Sequence, residues 1–474
     1  MESPRDVVIR LRAKMRKHEQ AADTWSRLYD GEQDLLFTSP EFALQTGGLF
    51  DDFADNWCQT VPDTKVERMQ PMAFLFADGE PDTAAWEAWN RSQCDVEYPL
   101  AALEKLVCAR SYASVWRPDG ETTEITFHHT SRAIVEYEPL RRRVRRYGLT
   151  VGEMDEHEVA TLFHSADGMV YRFQRNRSAG DVGEWVPRTV GLRRSEPSHF
   201  PSPMGNVVPL VEFANRGRLK GPPVSELRNV APLQNVVNTL WVDLLTGADS
   251  AALPAQVILG ARKPMRDILD DDGEVVDQEE LPIAKFRRDR LLWLEQEGAR
   301  IAEFSAGDLE NFTKVITLAV NHIAAQTRTP PHYLLGQMVN VSADAIAAGE
   351  SGLVATVREQ IRADGANLRE LMRLEAIASG EPGRAASLET GRVKWRDPQF
   401  RSGAQYADML TKYKAIGIPD EALWEMIPDV DATDIERWKT MRDDQAAAIV
   451  GGNIGDLFGV KDEPVPDDGG PQPQ

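Results

Sequence analysis

Cysteine is scarce in this 474-residue chain: Cys58, Cys94 and Cys108 are the only three. An odd number of widely spaced cysteines argues against a disulfide framework and against a metal knuckle, and fits a reducing compartment. Long apolar runs are missing too. None approaches the ~18 residues of a membrane span. Near the N-terminus Val7-Val8-Ile9 is broken at once by Arg10 and Arg12, which is not the pattern of a signal peptide. Positive charge is in deficit: 54 Lys and Arg stand against 75 Asp and Glu, a formal net charge of −21. A surface of that sign repels phosphate, which disfavours tight, sequence-reading DNA binding.

Catalytic motifs are equally sparse. There is no G-x-x-x-x-G-K-[ST] phosphate loop, no H-E-x-x-H and no G-x-S-x-G elbow. Gly349-Glu350-Ser351-Gly352 comes near the last, but inside a helical pattern, where it reads as a small-residue packing face. His128-His129 are strand neighbours, so their side chains point to opposite faces, as do those of His157 and His164. Asp270-Asp271-Asp272 and Asp443-Asp444 lack the alternating ligand pattern of a calcium loop and read as solvated. Cys58 and Cys108 read as small core residues. No catalytic residue, metal ligand or cofactor site is assigned, and the chain reads as non-enzymatic.

What is present suits a folded protein of about three domains by length. Apolar residues make up 42% of the chain and charged residues 27%. Val8, Leu11, Met15, Ala22, Trp25 and Tyr29 recur at helical spacing up to Gly31. A second helical stretch covers 82–110, with a break expected near Asp95 to Pro99. From Tyr112 to Arg188 the pattern becomes short strands and turns, and 191–205 reads as a linker before a strand at 206–213. Pro232 opens a long helix through Ser250. Strand character follows at Gln256–Leu259 and Leu291–Leu294. Ser305 and Asp308 form a capping box before a helix that Pro330-Pro331 ends, and Ser342 caps a long helix to Ser379. Gly349, Gly352 and Gly365 invite a bend in it. Thr433 and Glu436 cap the last helix, and the tail from Asp462 reads as disordered. The fold class is α+β.

Arg141-Arg142-Arg143-Val144-Arg145-Arg146, followed by Tyr147, is the one strong basic cluster. An exposed strand end facing acidic neighbours is the favoured reading; a phosphate or partner patch is the alternative.

Several blocks together resemble the portal, or head–tail connector, proteins of long-tailed double-stranded DNA bacteriophages. They are Leu28-Tyr29-Asp30-Gly31-Glu32-Gln33, Asn56-Trp57-Cys58 through Met69, and Trp86-Glu87-Ala88-Trp89-Asn90 with Asp95. Ser111-Tyr112-Ala113-Ser114-Val115 marks a helix-to-strand step, where the family carries a glycine in place of Ala109 or Arg110. Val208 through Arg216, Ser225-Glu226-Leu227, and Leu233-Gln234-Asn235 with Asn238 follow. Last come Ile323-Ala324 to Thr329-Pro330-Pro331-His332-Tyr333-Leu334 and Asn340-Val341-Ser342-Ala343-Asp344-Ala345. The blocks span about residues 25 to 440, and their order and spacing carry the specificity.

The resemblance implies a portal fold: a mixed wing at 1–231, stem helices at 232–250 and 307–331, a strand-containing clip at 251–306, a tunnel loop at 332–341, a long wing helix in 342–396, a crown at 397–461 and a disordered tail at 462–474. It implies a homo-oligomeric ring, usually of twelve subunits, at one capsid vertex. The expected partners are the major capsid protein, terminase and then the head–tail adaptor. Double-stranded DNA passes through the ring without sequence specificity, and no membrane is involved. The virion, and the bacterial cytoplasm during assembly, are the implied locations. Gln337, Met338 and Asn340 are the candidates for facing DNA. The competing reading is another virion structural or assembly protein of minor capsid or scaffold type. Eleven tryptophans and a strand-rich middle argue against a scaffold, and the missing phosphate loop argues against a packaging motor.

Overall fold

The computed structural model describes residues 2–33, 54–117, 122–192, 196–252, 256–259, 265–269, 275–280, 291–294, 300–303, 309–336, 343–399, 401, 403–424, 426–427, 430 and 432–457. Two compact units emerge where length alone suggests about three. One comprises Met1–Glu67, Glu97–Ala113 and Phe127–Glu359; the other comprises Arg68–Val96, Ser114–Thr126 and Gln360–Gln474.

In the first unit, helix α1 (Pro4–Tyr29) starts where the Ser3 side chain accepts the Asp6 amide at 3.2 Å and Pro4 presets the first turn. Its stripe of Val7, Val8, Leu11 and Met15 is buried among Ile134, Leu149, Leu162 and Phe173. These come from an antiparallel sheet whose main strands run consecutively across it. Helix α2 (Trp57–Val66) and helix α3 (Cys94–Cys108) precede that sheet. The break expected at Asp95–Pro99 lies earlier, at Ser92–Gln93, where Gln93 adopts φ +52°. Pro99 sits inside α3 as its sixth residue, where it forgoes one backbone bond without ending the helix. Strand β1 (Arg110–Trp116) lies between β2 (Glu124–His129) and a strand at Leu210–Ala214.

The larger sheet holds β3 (Ala133–Glu138), β4 (Arg141–Met154), β5 (His157–His164) and β6 (Met169–Asn176). The segment expected to be a linker contributes a strand as well: His199–Pro201 pairs with Met169–Tyr171. Two further helices, α4 (Ala231–Ala252) and α5 (Leu309–Thr327), flank the insert. Within the insert Gln256–Leu259 pairs parallel to Leu291–Leu294 and antiparallel to Arg300–Glu303, while Met265–Leu269 pairs with Val275–Glu280. The strands expected at 256–259 and 291–294 are therefore present. Ser305, Asp308, the acidic loop 270–272 and the tail 462–474 lie outside the described residues. The helix expected to end at Pro330-Pro331 stops at Thr327, because Arg328 turns left-handed at φ +57°. The long helix α6 (Ala343–Ala378) runs without interruption through Gly349, Gly352 and Gly365.

In the second unit, Pro71–Leu75 pairs antiparallel with Arg392–Trp395. Phe74 packs on Trp86 and Trp89 at 6.1 and 5.5 Å between ring centres. Arg384 bridges Asp82 and Glu375, and Glu375 also accepts Thr123 Oγ1 at 2.7 Å. A Cβ at Gly391 would lie 2.4 Å from the Leu75 carbonyl oxygen, so this position must be glycine. The last described helix starts at Ala432. Thr433 thus lies inside its first turn and cannot serve as the expected cap, which has to precede the helix. Among the described residues, no helix is long and apolar enough to cross a membrane.

Candidate functional site

The blocks singled out in the sequence are scattered over three hundred residues, and the first unit brings most of them to the base of one helix pair. Helices α4 and α5 pack on each other. At 1.5 Å per residue they extend for roughly 33 and 28 Å. Their seam is apolar: Val237, with Leu233, Leu240 and Leu244 at its edge, meets Ile316, Ala319, Val320 and Ile323. Gly247 lets them close, since a Cβ there would stand 3.1 Å from Leu309 Cδ2. The last turns of α4 thus meet the first residue of α5.

Amides tie this pair to α1 and α2. Gln234 Oε1 accepts the Trp57 backbone N–H at 2.9 Å, and Gln234 Nε2 donates to Asn238 Oδ1 at 2.9 Å. Asn238 Nδ2 donates to Gln33 Oε1 at 2.6 Å, and Gln33 Nε2 donates to Asn56 Oδ1 and to the Leu28 carbonyl, both at 3.0 Å. Gln33, Gln234 and Asn238 are all buried, and buried amides are tolerated only when paired in this way. The indole Trp57 Nε1 donates to the Leu334 carbonyl at 3.0 Å, and Tyr29 Oη donates to Asp63 at 2.8 Å. The blocks at 28–33, 56–69, 233–238 and 323–334 therefore supply links in a continuous network.

A second node lies beside it. Glu226, in the 3-10 turn Glu226–Asn229, accepts Lys65 Nζ at 2.6 Å and both Arg216 Nε and Nη2 at 2.6 Å. The Lys65 and Glu226 side chains are each only 1% exposed. Burial alone would raise the Glu226 carboxyl, but Lys65 and Arg216 outweigh it and hold it below the ordinary value. A lysine on the buried side of α2 is the one signal in the sequence that an anion had to face it; the partner could not be read from spacing.

Beyond α5, the residues expected to form a loop from His332 begin as a short helix, Pro331–Leu335, ended by Gly336 at φ +63°. Pro at the first turn and glycine just after the last explain it. Tyr333 Oη donates to Glu350 at 2.9 Å, and Gly352 faces Arg328. Within 349–352 it is Glu350 and Gly352 that make contacts, while Gly349 and Ser351 are exposed, so the stretch is not the expected small-residue packing face. The DNA-facing candidates Gln337, Met338 and Asn340 lie outside the described residues.

The arginine run occupies the start of β4. Residues 147–151 of β4 pair on both sides, with β3 or its turn and with β5, whose register begins at Tyr147 with His164, while 152–154 pair with β5. Beyond Tyr147 only Arg145 and Arg141 keep a register with β3, opposite Tyr137 and Glu138, with an irregularity across 142–144, so the hairpin reaches past the β4–β5 register by about 7 Å plus its turn. Leu140 at its tip is 97% exposed, and Arg141, Arg142 and Arg143 are exposed with it. Arg145 and Arg146 turn back: Arg145 Nη1 donates to the Leu210 carbonyl at 3.2 Å, and Arg146 lies 3.9 Å from Glu138 and over the Tyr147 ring.

His18, His128 and Cys58 are structural. Burial pushes His18 and His128 down to about 4, with Arg110 and Lys14 adding to the effect on His18 and Arg132 to that on His128. Burial pushes the Cys58 thiol up to about 12, leaving it a core residue rather than a nucleophile.

The family model described as phage portal protein, SPP1 Gp6-like, matches residues 20–448. The chain is similar to the proteins named portal protein in Mycobacterium phages D29 and L5. Each is 27% identical over 438 residues, covering 87% of this chain and 82% of the relative. Among solved structures, it aligns with a chain of the virion of a native gene transfer agent particle at 14% identity and a TM-score of 0.43, over 86% of this chain and 94% of that one. A chain from the neck of the native particle, computed with C12 symmetry, aligns at 13% identity and a TM-score of 0.41, over 82% and 93%.

Proposed function

This chain belongs to the SPP1 Gp6-like family of phage portal proteins, and from that premise we propose that its copies close into a ring of about twelve at one capsid vertex. The ring is the channel through which double-stranded DNA enters during packaging and leaves during ejection. It is a structural part of the virion rather than an enzyme, assembled in the bacterial cytoplasm against the major capsid protein. Terminase docks on it first and the head–tail adaptor later.

The observation that carries this reading is the braced helix pair. Helices α4 and α5 are the proposed stem, the strands between them the clip, and residues 332–341 the tunnel loop. A channel wall has to keep its shape while DNA slides past. An apolar seam anchored by fully paired buried amides supplies that stiffness. The charge fits as well: twelve copies at −21 each total about −252, and acid on the bore repels phosphate within about 8 Å at physiological salt. Helix α6 belongs to the wing, residues 397–461 to the crown, and the arginine hairpin is a patch for phosphate or a partner.

Negative-stain electron microscopy of the purified chain, with mass measurement alongside, tests the assembly. Rings of about twelve subunits with a central hole are expected; a compact dimer with no hole would overturn the reading. Gln337, Met338 and Asn340 carry no charge, which suits a loop that touches DNA without gripping it. Replacing Gln337 and Asn340 together with Lys is expected to slow packaging or ejection. Normal DNA content and infectivity in that double variant would remove the tunnel-loop assignment.

A further inference from the structure

One side-chain cluster outside the helix pair has the composition of a metal site. Glu104 and Cys108 lie one helical turn apart on α3, so both project from the same face. His129, the last residue of β2, reaches the same point from the sheet. Glu104 Oε2 stands 3.2 Å from Cys108 Sγ and 3.5 Å from His129 Nε2, and all three ligand atoms lie within 4.8 Å of one another. A tetrahedral zinc ion, with bonds of about 2.0 Å to oxygen and nitrogen and 2.3 Å to sulfur, holds its ligand atoms roughly 3.3–3.5 Å apart. The two edges lie within about 0.3 Å of that spacing.

The surroundings complete the case. The Ser131 backbone N–H donates to His129 Nδ1 at 3.2 Å, and the Ser131 hydroxyl lies 2.8 Å from the same nitrogen. With Nε2 on a metal, the ring proton moves to Nδ1, which then donates to the Ser131 hydroxyl in place of accepting the Ser131 amide. Cys108 is 6% exposed, while the His129 and Glu104 side chains are 31% and 43% exposed. The sulfur side is therefore dry and the other side is open to an entering ion. Ser26 Oγ on α1, 3.4 Å from Cys108 Sγ, or a water completes four-coordination.

We propose that Glu104, Cys108 and His129 form a binding site for a divalent transition-metal ion, Zn²⁺ by the mixture of thiolate, imidazole and carboxylate. Binding converts the Cys108 thiol to a zinc-bound thiolate and releases one proton to solvent, with no change of oxidation state. The ion would pin α3 to β2. The scarcity of cysteine does not speak against it, because the site uses one cysteine and takes its other ligands from different residue types. It is independent of the portal reading.

The test uses the full chain, stripped with chelator and then loaded with Zn²⁺ or Co²⁺. Expected are one tightly held zinc per chain by elemental analysis, and a thiolate-to-cobalt charge-transfer band in the Co²⁺ form. Cys108→Ser abolishes the band, and His129→Gln and Glu104→Gln each weaken zinc retention at least tenfold. Glu104 and His129 are partly exposed, so those two variants keep the test open even if Cys108→Ser perturbs folding, which far-UV circular dichroism reports. Zinc below one-tenth per chain, or a cobalt band that persists in the folded Cys108→Ser and His129→Gln variants, would overturn the proposal.

Discussion

The chain uses arginine and lysine in two opposite ways. Beside the helix pair, Lys65 and Arg216 share the buried carboxylate of Glu226 at 2.6 Å. On the β3–β4 hairpin, Arg141, Arg142 and Arg143 stand exposed around an exposed Leu140. The first arrangement locks α2 to the turn that precedes α4, since a buried ion cannot move away from its partner without large cost. The second holds nothing in place locally and is available to whatever approaches. Charge inside this protein sets geometry; charge on the hairpin sets what the surface can meet.

The contrast is sharpest at Glu226. Glu226→Gln leaves Lys65 and Arg216 facing a neutral amide, and a loss of about 3–5 kcal/mol is expected in chemical denaturation. A loss under 1 kcal/mol would mean that the node is solvated and that the contrast fails. Acid probes the same interior. Glu226 titrates below the ordinary carboxyl range, so its contribution is present above that range and is lost as pH falls through its own lower value.

His18 and His128 stay neutral in the fold down to about 4, whereas in the unfolded chain they take a proton near 6.5. The unfolded state therefore binds more protons between those limits, and stability falls progressively as pH drops from 6.5 to about 4. The unfolding midpoint measured against pH should show this slope, and His18→Gln should flatten part of it.

A smaller effect is expected from backbone rather than charge. Ala109 holds φ +70° at the step from α3 to β1, and an alanine in that conformation costs about 1–2 kcal/mol over glycine. Ala109→Gly should raise the thermal midpoint; a lower midpoint would show that the methyl group packs usefully enough to outweigh the strain. Smallest is the hairpin. Arg142→Glu with Arg143→Glu should shift stability by no more than about 0.5 kcal/mol, while altering ring assembly or DNA content. If stability falls as far as in Glu226→Gln, the two regions do not differ in the way described.

Much of this was legible along the chain. The stripe Val8, Leu11, Met15 marked α1, and Gln256–Leu259 and Leu291–Leu294 were readable as strands because short apolar segments between turn residues have few alternatives. The family resemblance marked Ala109 or Arg110 as a place for glycine, and the left-handed φ of Ala109 supplies the reason. Other features misled. Pro99 suggested a break, but α3 runs on through it. Thr433 and Glu436 have the spacing of a cap but sit inside the helix, Thr433 two residues past the cap position. His332 through Leu335 read as loop and fold as a short helix because Pro331 and Gly336 bracket them.

The candidate site was only half visible. Gln33, Asn56, Gln234 and Asn238 could be named as members of recognisable blocks, yet nothing in their order says that they bond to one another. Lys65 and Glu226 are separated by 161 positions, as are many links of the amide network by comparable distances, and hydrogen bonding over such separations is decided by packing alone. The sequence by itself determined the helical and strand periodicities, the acidic balance, the absence of long apolar runs and the family, since these are local or ordered along the chain. Only the tertiary structure decided which polar residues share a buried node, that 68–96 and 114–126 fold with the C-terminal part, and that Glu104, Cys108 and His129 meet. Those juxtapositions follow from how helices and sheets close over an apolar core, and no local spacing encodes them.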